Sequence, residues 1–246
     1  MEGGTRRLVI LGVFALAGFV VLVGLGIWQV QRLQWKEALI ARVEAGLAAD
    51  PVPAPASGSW SGIDVSAIEY QPVIVSGRYL NDREAHVVFT LTQPKGPAGG
   101  IGYMVMTPFA TDDGWLVYVN RGFVPRENRA PEMRAAGLID GPTTVTGFLR
   151  APHQRVWFGP ADDPEGNAWF SRDPAAFAVA AGLPTDTVAP YIIDAFADPE
   201  LPGGLPQGGE TVVSFSNNHL QYAVTWFGLA LALAVVFFAY VVRGRR

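Results

Sequence analysis

The sequence predicts an α+β protein: a two-helix transmembrane hairpin that carries an antiparallel, β-rich extracytoplasmic domain. Two observations predict the hairpin. The runs Leu8–Trp28 and Tyr222–Val242 are each 21 residues long, lack any charge and lie at the two ends of the chain. Each would form a helix of about 31 Å, which matches the hydrocarbon core of a bilayer. A third observation predicts the domain, because short β-branched and aromatic runs alternate with Gly, Pro, Asn and Asp between the two ends.

The composition supports this class and excludes others. Hydrophobic residues make up 50% of the chain and charged residues only 16%, whereas soluble domains usually carry about 25% charged residues. A soluble cytosolic enzyme is therefore excluded. The absence of cysteine excludes a disulfide framework, a cysteine zinc site and a thiolate copper site. The net charge of -4 argues against nucleic-acid binding.

The N-terminal run has two interpretations. Arg6 and Arg7 precede it, and Ala15–Ala17 resembles a signal-peptide cleavage site. The apolar run nevertheless continues to Trp28, well beyond that site, whereas a signal peptide usually ends its apolar region just before cleavage. We therefore expect an uncleaved anchor, with a signal peptide as the alternative.

Positive charge near the ends predicts the orientation. Arg6 and Arg7 precede the first span, and three arginines, Arg243, Arg245 and Arg246, follow the second. Both ends are therefore expected in the cytoplasm, although Arg32 and nearby basic residues argue the other way. The chain is predicted to comprise a cytoplasmic end (1–7), a span (8–28), a helical extension (29–50), the β-rich domain (51–221), a second span (222–242) and a cytoplasmic end (243–246). The loop between the two spans, residues 29–221, carries 13 basic and 21 acidic residues. This excess of acidic residues suits either ordinary solubility or a basic partner.

Periodicity predicts the elements of the domain. Asp50–Pro55 is Pro-rich and should end the helical extension. Thr111–Gly114 is typical of a hairpin turn. Asp173, Pro174 and Gly182 should cap, start and end a helix. Because the strands follow one another closely, antiparallel pairing is expected. The predicted strands are Val73–Tyr79, Ala85–Leu91, Tyr103–Phe109, Trp115–Asn120, Thr143–Leu149, Tyr191–Phe196 and Thr211–Phe215.

His219 is the strongest candidate for a ligand. It lies where the second span begins, and Asn218 with Gln221 fits a capping box that would place His219 in the first helical turn. The positive end of the helix dipole disfavours an imidazolium there. A neutral imidazole at a membrane boundary could bind iron or zinc. The alternative is an ordinary polar residue at the interface.

Aromatic residues flank this position. Trp28 and Trp35 lie seven apart on the first helix, while Tyr222 and Trp226 follow His219 at +3 and +7. They could form an interfacial aromatic belt or an apolar wall around a planar cofactor beside His219. Spacing does not separate these two interpretations.

The other candidates are assigned structural roles. His86 and His153 are expected to be surface or packing residues, and Asp162 and Asp163 to be solvated. Arg121 precedes Gly122, which should adopt a positive φ, and its guanidinium should bind carbonyls or the Asp162–Asp163 loop. No hydrolase, phosphate-loop or zinc-protease motif occurs, so a non-enzyme is predicted.

Six segments in order resemble the surfeit locus protein 1 family. The resemblance runs from about residue 25 to 227, and only the third segment departs from the usual pattern, with Phe123 where the family has Trp. The six segments are Leu25–Lys36, Gly99–Phe109, Val119–Pro125, Gly166–Phe170, Pro190–Asp194 and Asn217–Trp226.

The resemblance implies an assembly factor for cytochrome c oxidase that acts at insertion of haem a into subunit I. It implies His219 as the haem iron ligand, with Trp28 and Trp226 beside the macrocycle. Tyr222 belongs to the same aromatic wall, and Arg32 could pair with haem propionates. Expected partners are oxidase subunit I, a haem a synthase and the lipid bilayer, and the expected location is the bacterial inner membrane with a periplasmic domain. The alternative is a scaffold that binds oxidase subunits without haem; a haem-modifying enzyme has no residue to support it.

Overall fold

The computed structural model describes residues 2–154, 159–210 and 218–243. The chain divides into two compact units: Met1–Arg42 with Ser214–Arg246, and Val43–Val213. The helices are α1 (Glu2–Leu47), α2 (Pro174–Ala180) and α3 (His219–Arg243). The strands are β1 (Val52–Pro53), β2 (Pro72–Tyr79), β3 (Ala85–Leu91), β4 (Gly100–Thr111), β5 (Leu116–Pro125), β6 (Thr143–Arg150), β7 (Ala168–Trp169) and β8 (Val188–Ala195).

The first unit consists of two long apolar helices. Within Ile10–Ala38 of α1, the most apolar 18-residue stretch has a mean hydropathy of 2.7, and the corresponding stretch of α3 has a mean hydropathy of 2.2. Both are long and apolar enough to cross a membrane. Helix α1 continues without a break to Leu47, and α3 begins at His219, three residues before the predicted span.

The two helices pack antiparallel through glycines of α1. The ring of Phe237 lies against Gly12, Leu233 lies against Gly18 and the ring of Phe227 lies against Gly26. A Cβ built on Gly26 would lie 2.6 Å from the Phe227 ring. Glycine therefore permits the closest approach of the two helices at this point.

The described residues of the second unit form a sheet of eight strands that closes on itself. The strand order is β1-β2-β6-β8-β5-β4-β3-β7, and β2 also pairs with β4. This additional pairing joins β2, β6, β8, β5 and β4 into a ring. Along one edge, β4 pairs with two strands in succession: its first half pairs with β3 and its last residues pair with β2. Its register against β5 shifts between Met104 and Met106, which is consistent with a local bend.

The expectation of purely antiparallel pairing is wrong. Strand β8 runs parallel to β5 and antiparallel to β6, and the short strands β1 and β7 also pair in parallel. The 62 residues between Pro125 and Val188 contain β6, β7 and α2, which is ample for a parallel crossover. The sheet is therefore mixed.

Most predicted elements are present. Strands β2, β3, β4, β5, β6 and β8 fall on the predicted runs, although β4 and β5 extend further. The hairpin turn forms with Gly114 at φ 86°, and Asp173 caps α2 by accepting from the amides of Ala175 and Ala176. The predicted strand Thr211–Phe215 lies outside the described residues.

The core has two layers separated by the sheet. Side chains from all five ring strands fill the inside, among them Val73, Phe109, Val119, Leu149 and Tyr191. On the opposite face α2 packs against β8, and Trp169 of β7 contacts the Phe177 ring of α2. This second layer buries Tyr118, Ile192, Trp169, Phe177 and Phe123. Strands buried on both faces explain the nearly continuous apolar runs of β5 and β8.

Candidate functional site

His219 is the first residue of α3. The amide of Tyr222 donates to the carbonyl of Asn218 at 3.2 Å, as expected when Asn218 is the N-cap residue. The predicted position of His219 in the first helical turn is therefore confirmed. Its side chain is half-buried.

Gln29 of α1 is the hydrogen-bond partner of His219. The Gln29 Oε1 atom lies 2.7 Å from His219 Nδ1. Since the amide oxygen can only accept, the imidazole donates from Nδ1 in this contact, and a neutral ring would then carry its lone pair on Nε2. A histidine ligand usually donates its second ring N–H to an oxygen in this way. The arrangement therefore suits ligation of a metal through Nε2.

The aromatic candidates lie close in the chain to the Gln29–His219 contact. Trp28 is the neighbour of Gln29 in the chain and is 54% exposed. Tyr222 and Trp226 lie three and seven residues after His219, which places them near its face of α3. Tyr222 is 54% exposed and Trp226 is half-buried. None of the three forms a ring–ring contact with another described aromatic side chain.

Arg32 lies one turn beyond Trp28 on α1. Its guanidinium carbon lies 4.0 Å from the centroid of the Trp35 ring, a distance typical of a cation–π contact. The side chain is exposed. The structure thus places an accessible positive charge within one turn of Gln29 and Trp28.

His219 is the candidate metal ligand of this site. Within residues 2–154, 159–210 and 218–243, no group of three His, Cys, Asp or Glu side chains is placed to hold a metal ion. A haem macrocycle supplies four nitrogens itself and needs only an axial imidazole from the protein. His219 can provide that ligand, and the exposed aromatic side chains provide apolar surface for a macrocycle.

A second polar cluster lies in the β domain, where His86 proves to be buried. His86 Nε2 donates to Glu84 at 2.8 Å, and Nδ1 accepts from Arg129 at 3.2 Å. Arg134 also donates to Glu84. Burial on its own raises the pKa of the Glu84 carboxyl, but the hydrogen bond from His86 and the charge of Arg134 together lower that pKa below its ordinary value. These contacts join β3 to the segment around residues 126–137.

Arg121 is likewise a structural residue. It is buried, donates to the carbonyl of Gly137 and the side chain of Asn81, and lies 4.4 Å from the centroid of the Tyr79 ring. Gly122 has a φ of 123°, as predicted. The expected alternative partner, the Asp162–Asp163 loop, has another role.

Asp162 is not simply solvated, which corrects the sequence expectation. Its carboxylate accepts from the backbone amides of Phe170 and Ser171 and from the Ser171 hydroxyl at 2.6–3.0 Å. Asp163 accepts from the amide of Gly166 at 2.9 Å. Both carboxylates therefore organise the loop that leads into β7.

Sequence reasoning missed Gln29 as part of the site. A signal existed: Gln29 is the first polar residue after a long apolar run, and it occurs beside Trp28. What the sequence did not show is which residue of the other helix it faces, because that depends on the register of α1 against α3.

The fold and the site together define a class: a protein with two helices able to cross a membrane, a mixed β domain and a histidine at the start of the second helix. The family model described as the SURF1 family matches residues 16–231. The chain therefore belongs to the SURF1 family.

Several curated relatives are similar over most of the chain. Surfeit locus protein 1 of Homo sapiens is 40% identical over 232 residues, which cover 90% of this chain and 74% of the relative. Surfeit locus protein 1 of Rattus norvegicus is 38% identical, and the match covers 89% of this chain and 72% of the relative. A SURF1-like protein of Monosiga brevicollis is 37% identical, and the match covers 88% of this chain and 82% of the relative.

Proposed function

We propose that this chain is a membrane-anchored, non-catalytic assembly factor for haem-copper cytochrome c oxidase that binds haem a and assists its insertion into subunit I. Membership in the SURF1 family supports the role in oxidase assembly. The observation that carries haem binding is the hydrogen bond from His219 to Gln29, since it leaves Nε2 of His219 as the electron-pair donor.

The two long apolar helices support a membrane setting. An apolar macrocycle would lie among the aromatic side chains at the start of α3, while Arg32 would pair with a propionate. Both chain ends would lie in the cytoplasm, and the β domain would lie in the periplasm of a bacterial inner membrane. There it would meet oxidase subunit I and a haem a synthase.

Absorption spectroscopy tests the haem role. The full-length protein in detergent, titrated with haem a, should acquire a saturable Soret band. His219→Ala should abolish or strongly shift that band because axial coordination depends on one directed lone pair. Trp28→Phe should only weaken binding, since contacts with the macrocycle are shared among several side chains. Far-UV circular dichroism should show equal folding for all variants.

His153→Ala is the matched control, because His153 is an exposed histidine of the β domain. It should leave the spectrum unchanged. If His219→Ala keeps the wild-type spectrum at equal occupancy, His219 is not the ligand. If the wild-type protein binds no haem a but still co-purifies with subunit I, the scaffold without haem is the better description.

A further inference from the structure

Gln29 is a buried polar side chain on a helix that is long and apolar enough to cross a membrane. It is 8% exposed and lies just after the apolar part of α1, in which an 18-residue stretch has a mean hydropathy of 2.7. A primary amide in apolar surroundings is unfavourable unless its hydrogen-bonding groups are satisfied. The described partner of its oxygen is His219 Nδ1 at 2.7 Å. The amide is therefore directed at one atom of one side chain.

The packing of the two helices fixes this contact. Gly26 precedes Gln29 by three residues on α1 and is in contact with the Phe227 ring, which leaves no room for a Cβ. Residues three apart lie on the same face of a helix. The close approach at Gly26 thus brings the Gln29 face of α1 against α3, where Ala223 is also buried.

The direction of the hydrogen bond, from donor to acceptor, determines which ring nitrogen of His219 can bind a metal. A neutral imidazole has one N–H and one lone pair, and the bond made by one nitrogen selects the tautomer. With Gln29 Oε1 as acceptor, the N–H is on Nδ1 and the lone pair is on Nε2. The same bond restricts rotation of the ring about its χ angles.

We propose that Gln29 is the positioning residue of the haem site: it accepts the Nδ1 proton of His219 and thereby fixes the ring orientation and the tautomer that presents Nε2 to iron. This inference rests on the proposed function, in which His219 is the axial ligand. Gln29 itself makes no bond to the haem. Its role differs from that of a residue that merely joins two helices, because it specifies a protonation pattern and not only a distance.

Nitrogen NMR of the haem-free, full-length protein is the first test. The ring of His219, labelled with ¹⁵N and assigned by its loss in His219→Ala, should show a protonated Nδ1 and an unprotonated Nε2. Gln29→Leu has a similar volume but no acceptor, so the Nε2–H tautomer should increase. Gln31→Leu is the control, since Gln31 is an exposed glutamine of the same helix. It should leave the tautomer unchanged.

Haem a titration is the second test. Gln29→Leu should weaken binding by roughly 10- to 100-fold, the usual effect of removing the partner of a metal-bound histidine. Gln29→Glu restores an acceptor, so it should recover binding and lower the reduction potential of the bound haem, because a carboxylate makes the imidazole a stronger donor. A residue that only joins the helices would not shift that potential.

The two proposals fail in different ways. If His219→Ala loses haem but Gln29→Leu keeps the wild-type tautomer, affinity and potential, Gln29 has no positioning role and the proposed function stands. If the wild-type protein binds no haem a, the proposed function fails, and an unchanged tautomer in Gln29→Leu would then overturn the Gln29 assignment separately.

Discussion

Arg121 carries a full positive charge in the interior of the β domain. Burial lowers its pKa below the ordinary value for a guanidinium, while the Tyr79 ring and the Gly137 carbonyl compensate part of the desolvation. Burial also raises the pKa of Tyr79, to about 12, so the phenol is neutral under physiological conditions. The contact between Arg121 and Tyr79 requires a planar cation that donates hydrogen bonds and stacks on the ring at the same time.

Replacing this cation tests its role. Arg121→Lys should lower the free energy of unfolding by about 1–3 kcal/mol, because an ammonium keeps the charge but loses the fixed fork of donors and the stacked face. Urea unfolding followed by circular dichroism would measure it. Haem absorbance per folded molecule should not change. A variant with normal stability but lost oxidase assembly would instead indicate that Arg121 contacts a partner.

Single residues also show what could be predicted. The helical start at His219 and the positive φ of Gly122 followed from local sequence patterns, because caps and turns are local. The burial of His86 and the binding of Asp162 to backbone amides did not, because their partners are distant in the chain or depend on a loop conformation. Gln29 belongs to the second group, since its partner is 190 residues away.

At the scale of elements, the packing of α1 on α3 decides whether the site forms. Gly26→Leu should separate the helices at Phe227 and weaken the Gln29–His219 bond. Haem a affinity should therefore fall by at least tenfold, as measured by titration. Gly24→Leu is the matched control because a Cβ on Gly24 meets nothing within 4 Å. Equal effects of the two substitutions would contradict a specific contact at Gly26.

Strand pairing marks the limit of prediction for elements. Strand positions were predicted well because apolar alternation is a local property of the chain. The parallel pairing of β5 with β8 was not predicted, since neighbours in sequence were assumed to be neighbours in the sheet. The two-sided burial of β5 was a sign of it, because Val117, Tyr118 and Val119 are all buried and such strands are typical of parallel sheets with both faces covered.

At the scale of the whole molecule, the topology can be tested with reporters. The proposed hairpin places residue 246 in the cytoplasm and the β domain outside it. A phosphatase that is active only outside the cytoplasm should give no signal when fused at residue 246 and a signal when fused after a residue in the exposed turn at Asp113. The reverse pattern would contradict the orientation and the proposed periplasmic partners.

The stability of the β domain should depend on pH because of the ionisation of Glu84. Its carboxyl has a lower pKa in the folded chain than the ordinary value of 4.5. Such a group stabilises the fold above the unfolded pKa, and this contribution is lost as the pH falls through the folded pKa. Thermal unfolding should therefore show a decline below about pH 4.5.

Two variants test whether Glu84 causes this loss of stability in acid. Glu84→Gln should be less stable at pH 7 than the wild type and should show a flatter profile in acid. Glu127→Gln removes an exposed carboxyl of the same region and should keep the wild-type profile. An unchanged acid profile in Glu84→Gln would mean that other carboxyls govern acid unfolding.

The closure of the sheet also bears on aggregation. Open sheets expose rows of unpaired amides and carbonyls, which recruit strands from other molecules. Here the β2–β4 pairing removes two such rows, and the described sheet ends in β1 and β7, each only two residues long, with a proline in β1. Strand β3 differs, because β7 pairs only with His86 and Val87 and leaves Val88–Leu91 without a second neighbour among the described strands. A strand from another molecule could therefore add at this short stretch of backbone.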